Sequence, residues 1–137
     1  MLSVNARSRK FRENPKLLLY GECVAEEWPN ILAEFSKGFV SLPVCLERDH
    51  MNMVGFKLLS MIKLGGVKTV WVLTTDGSPH CVQLHMVVEE INRMIDDLSE
   101  VKHYVISKGK AYEVDAECIK IARHLLKIQK LKERVKS

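Results

Sequence analysis

The sequence predicts a single α/β domain, a three-layer doubly wound sandwich around a four-stranded parallel sheet. Three observations lead there. Four short apolar runs alternate along the chain with stretches of helical periodicity. Those runs are continuously apolar, as strands covered on both faces are, and do not alternate with polar residues. The length of 137 residues, with 47% hydrophobic and 28% charged, suits one ordinary globular core.

Residues 1–15 have no usable periodicity and read as a basic, flexible arm, which leaves 16–137 as the domain. Lys16-Leu-Leu-Leu-Tyr20 is the first buried strand, stopped by Gly21. Trp28, Ile31, Leu32 and Phe35 then recur at helical spacing, with Pro29 tolerable only in the first turn and Gly38 as the C-cap. Phe39–Val44 is the second strand, ended or bent at Pro43. Asp49 is placed to cap the next helix, whose Val54, Leu58, Met61 and Ile62 form a stripe closing at Gly65-Gly66.

Thr69–Leu73 is the third strand. Ser78 is a good N-cap and Pro79 suits the first helical position of a helix carrying Leu84, Val87, Val88, Ile91, Ile95 and Leu98 on one face. His103–Ile106 is the fourth strand. A turn around Lys108-Gly109-Lys110 should lead to a last helix that aligns Val114, Cys118, Ile121, Leu125 and Ile128. Right-handed crossovers then favour the strand order 2-1-3-4, the flavodoxin-like arrangement.

Function is sought at the strand ends. Cys23, Cys45 and Cys81 each follow a predicted strand by a few residues. In a parallel sheet all carboxyl ends share one edge, neighbouring strands lie about 4.8 Å apart, and ligands bind at that edge near the switch point. The three thiols should therefore converge. Cys81 falls in the first turn of its helix, where free N–H groups and the helix dipole favour a thiolate. His80 precedes it, and His85 lies one turn further along the same side. Asp76, Asp49 and Arg48 share the edge as groups that could orient an imidazole. Cys118, on the stripe of the last helix, reads as a core residue.

Thiolates with one or two imidazoles suit zinc or an iron–sulfur cluster and not magnesium or calcium. The alternative is an enzyme in which Cys81 is an activated nucleophile or redox thiol and His80 its base. A position six residues after Cys81 holds Val87, not the Arg that a cysteine phosphatase needs to clamp phosphate, so a redox or sulfur-transferring thiol is the better form of that reading. A third reading is a non-catalytic interaction domain.

The net charge of +4 is concentrated at the ends, in Arg7, Arg9, Lys10 and Arg12 and in Lys127, Lys130, Lys132, Arg134 and Lys136. These read as solvated faces, so nucleic acid is not favoured as a partner. No apolar run approaches the roughly 20 residues of a membrane span. With no secretory signal and four cysteines, thiols or metal ligands are expected before disulfides, and the cytoplasm as the location. The partners expected are a redox protein and a second copy of the chain.

On Gly21-Glu-Cys23, Pro43-Val-Cys45 and Asp76-Gly-Ser-Pro-His-Cys81, the chain resembles the iron–sulfur delta subunit of methyl-viologen-reducing hydrogenase over roughly residues 16–130. The resemblance implies a [2Fe–2S] electron-transfer role beside a hydrogenase or reductase. That family carries paired cysteines in its first and third loops where this chain has one in each, so His80 or His85 would complete the set. Cys45-Leu-Glu-Arg48-Asp49 and His80-Cys81 are similar, with altered spacing, to the zinc motifs of β-type carbonic anhydrase, which would imply a zinc-dependent hydratase.

Overall fold

The computed structural model describes residues 1–136; Ser137, the last residue of the expected domain, and the side chain of Lys136 lie outside it. The elements are α1 (Arg9–Glu13), β1 (Lys16–Gly21), α2 (Glu22–Glu27), α3 (Pro29–Ser36), β2 (Val40–Val44), α4 (Met51–Lys63) and β3 (Thr69–Thr75). They continue with α5 (Pro79–Met94), β4 (Glu100–Ser107), β5 (Lys110–Val114), α6 (Ala116–Ala122) and α7 (Leu125–Lys136). The sheet order is β2-β1-β3-β4-β5. The first four strands are parallel in the expected order, and the fifth is antiparallel to β4.

That fifth strand corrects the four-stranded expectation. Lys108 has φ 51° and Gly109 has φ 80°, the two positive values that a type I′ turn requires, and Ser107 pairs with Lys110 across them. The chain thus reverses in two residues. Val114 ends β5, and Asp115 caps α6 by accepting a hydrogen bond from the Cys118 backbone N–H at 2.8 Å. The expected last helix is therefore a strand end and two helices. Cys118 is exposed, not in the core; its neighbour Ile119 turns inward instead.

Side chains of β1 alternate between two cores, as the pleat demands. Leu17 and Leu19 join Val70, Val72, Leu58 and Leu84 under α4 and α5, while Leu18 joins Val24, Leu73 and Ile106 under α2 and α3. The second core is lined by Phe35, Phe39, Trp71 and Tyr104, with ring centroids 4.7–6.4 Å apart. The first fifteen residues hold a helix where none was expected. α1 is too short to persist alone, but Phe11 is fully buried, a contribution of about 1.5–3 kcal/mol. Gly65 makes room for this segment, since a Cβ there would collide with the carbonyl oxygens of Ala6 and Met61. No described helix is long and apolar enough to cross a membrane.

Candidate functional site

The register brings the ends of three strands level: Gly21 pairs with Val44, and Tyr20 with Leu73. Cys23 lies in the first turn of α2, Cys45 directly follows β2, and Cys81 lies in the first turn of α5. All three, with His80, line one cavity of about 120 Å³ at this edge. The expected convergence of loops is therefore present. Gly21 forms the ground beneath it: a Cβ there would lie 3.6 Å from the Cys81 sulfur and 3.7 Å from the Cys23 sulfur. Cys23 Sγ also lies 3.5 Å from Thr75 Oγ1. All four cysteines are free.

Ser78 caps α5 as expected, accepting from the Cys81 backbone N–H at 3.4 Å. The thiol itself differs from expectation. Burial pushes the Cys81 thiol up, and hydrogen bonds from Ser78 and the Thr75 backbone only partly offset this. The neighbouring Cys23 raises it further. Desolvation outweighs the helix terminus here, so the free thiol is held protonated.

The companion residues divide. His80 is exposed at the rim. Asp49 does not cap α4; that role falls to His50, whose Nδ1 accepts from the Asn52 N–H at 3.1 Å. Asp49 instead pairs with Arg48, which also grips both carboxylate oxygens of Glu22 at 2.6 and 3.0 Å. Arg48 thereby ties the loop after β2 to the start of α2, beside Cys23. Asp76 is exposed in a turn, and neither it nor Asp49 bonds an imidazole among the described residues. Nor do three His, Cys, Asp or Glu side chains among them stand ready around one point for a metal.

His85 does not line this cavity. It is 3% exposed, and both ring nitrogens are occupied. Thr74 Oγ1 is 2.7 Å from its Nε2, its Nδ1 is 2.9 Å from His103 Nδ1, and His103 Nε2 is 2.6 Å from Glu89 Oε2. With Glu89 ionised, one assignment satisfies every link. The Thr74 hydroxyl donates to His85, His85 to His103, and His103 to the carboxylate, with both rings neutral. Burial, helped by the proximity of His103, pushes His85 down to about 3. Burial lowers His103 too, against the pull of Glu89. This chain was missed in the sequence, although a histidine inside an apolar strand, as at His103, is the signal of a buried polar group needing partners.

The sequence profile of the Rossmann-like domain matches residues 10–137. The chain belongs to this family. Compared with curated proteins and with solved structures, it has no significant match. This Rossmann-like domain carries only Gly21 in its first strand-to-helix turn, followed by Glu22 and Cys23. The three-glycine turn that cradles a dinucleotide pyrophosphate is not built there, and thiols occupy the edge instead.

Proposed function

We propose that this Rossmann-like domain binds a thiophilic metal, zinc or an iron–sulfur cluster, through Cys23, Cys45 and Cys81, with His80 as fourth donor. In this reading it serves as an electron-transfer or accessory subunit that docks on a redox partner protein. The observation that carries it is the convergence of three thiols from three separate loops on one small cavity. Soft sulfur donors with one imidazole match zinc or iron, and a bound cation would offset the burial that now holds Cys81 protonated. Rotamer changes at the three cysteines would bring the sulfurs to the metal. Free thiols of this kind suit a reducing compartment such as the cytoplasm.

Anaerobic purification, metal analysis and a visible absorption spectrum test the proposal. Stoichiometric metal that is lost in both Cys45→Ser and Cys81→Ser supports it, and metal-free protein after reconstitution with zinc and with iron and sulfide overturns it.

A second reading rests on the nearness of the Cys23 and Cys81 thiols, whose sulfurs lie 3.7 and 3.6 Å from the position a Cβ would take at Gly21. Such a pair can act as a dithiol: an external disulfide accepts two electrons and two protons while a Cys23–Cys81 bond forms. Exposure of metal-free protein to oxidised glutathione followed by peptide mapping checks it. A Cys23–Cys81 crosslink supports the pair, and random glutathionylation counts against it.

A further inference from the structure

A cavity of about 480 Å³ lies away from the thiols, between α5 and the α6–α7 pair. Its volume falls in the range of small-molecule sites. Met86 and Ile119 contribute an apolar floor, and Arg93, Lys120, Arg123 and Lys127 stand around it. These four cations are poorly neutralised. Arg93 and Arg123 share the single carboxylate of Glu90, Arg123 at 3.8 Å, and Lys120 and Lys127 have no acidic partner among the described residues. Two carboxylates, Glu89 and Glu117, also line the cavity. Glu89 is fixed, because its Oε2 is bonded to the buried His103 at 2.6 Å. It cannot swing across to neutralise the lysines without leaving that imidazole unpaired.

We propose that this cavity is a binding site for a small organic anion with an apolar body. The acid group would be held by Lys120, Lys127 and the two arginines, and the body would lie on Met86 and Ile119. Like charges gathered around an apolar floor repel one another in the empty site, and an anion relieves that repulsion while the floor supplies hydrophobic contact. Glu89 sets the orientation by repelling the acid group from its own position. This site is independent of the thiol pocket and of what that pocket binds.

The probe is 8-anilinonaphthalene-1-sulfonate, an anion with an aromatic body that fluoresces when shielded from water. Titrated into the full chain, it should bind saturably at one site, with affinity falling as salt rises. The double substitution Lys120→Glu/Lys127→Glu should weaken it by roughly tenfold or more, and the neutral N-phenyl-1-naphthylamine should not respond to the same change. Should that variant fail to fold by circular dichroism, Lys120→Gln/Lys127→Gln is read instead, with a smaller loss expected. Equal binding by wild type and the charge variants overturns the proposal. So does loss of binding in Phe56→Ser, which would place the probe on the exposed face of α4, or in Cys81→Ser, which would place it in the thiol pocket.

Discussion

Thr74 and Thr75 are consecutive residues of β3, yet each belongs to a different polar cluster. Thr75 meets Cys23 on the side of α2, and Thr74 meets His85 on the side of α5. Successive strand residues point to opposite faces, so one dipeptide serves both. The clusters differ in how far they are satisfied. Every link from Thr74 to Glu89 has a donor and an acceptor at 2.6–2.9 Å, and the two rings are sealed from water. The thiols are half-buried and weakly bonded, with one contact at 3.5 Å, and they open onto a cavity. Saturated donors hold a fold together, whereas unsaturated soft donors remain available for chemistry.

The sharpest way to break that contrast is to cut the imidazole chain. His103→Leu leaves His85 Nδ1 and Glu89 without their partner and should cost roughly 3 kcal/mol, read as a lower urea midpoint. Thr74→Val should cost about 1–2 kcal/mol by the same measurement, since only His85 Nε2 is orphaned. If both variants unfold like wild type, the chain is not structural and the contrast collapses.

Acid provides a graded version. His85 stays neutral in the folded state down to about 3, while in the unfolded chain it protonates near its ordinary 6.5. The unfolded state therefore binds the extra proton first. Stability should be complete above the unfolded value and fall as pH drops from about 6.5 toward 3, with a slope near 1.4 kcal/mol per pH unit from His85 alone. His103, shifted in the same direction, adds to it. Urea midpoints measured across this window check the slope, and a flat profile would mean that the rings reach water.

Effects in the thiol pocket should fall on ligand and not on stability. Gly21→Ala adds a methyl at ordinary van der Waals distance from both sulfurs, at a backbone φ of −66° that alanine adopts freely. Its stability should stay within about 1 kcal/mol of wild type, while metal uptake and Cys23–Cys81 crosslinking both fall. A methyl that leaves ligand uptake unchanged would show that the sulfurs do not need to close over Gly21. The smallest effect is expected at Cys118→Ser, on the exposed face of α6: within about 0.5 kcal/mol in stability, with no change in metal content.

Much of this was legible in the residues. Lys16–Tyr20 and Thr69–Leu73 are unbroken apolar runs, and parallel pairing follows from that composition. Once the strands are parallel, Cys23, Cys45 and Cys81 must share an edge. The hairpin was not legible, because Lys108-Gly109 lacks the usual Asn-Gly signature and a lysine rarely takes φ 51°. Nor was the seat of Phe11, which depends on a gap opened by Gly65 more than fifty residues downstream. His85 was legible as a helix-start neighbour of Cys81 but not as a buried residue. Its true partners, Thr74, His103 and through it Glu89, come from two strands and its own helix, and no local spacing gathers them.

The short α2 has a last consequence. Cys23 lies in the first turn of this six-residue helix and Trp28 is its C-cap, with the indole packed near Gly109 of the hairpin and its Nε1 buried without a partner among the described residues. Only one short helix separates the two side chains, so a shift of α2 on filling of the cavity should change the surroundings of the indole. Only one other tryptophan, Trp71, shares the background emission. Filling of the cavity beside Cys23 should then be readable as a change in the wavelength or intensity of tryptophan emission.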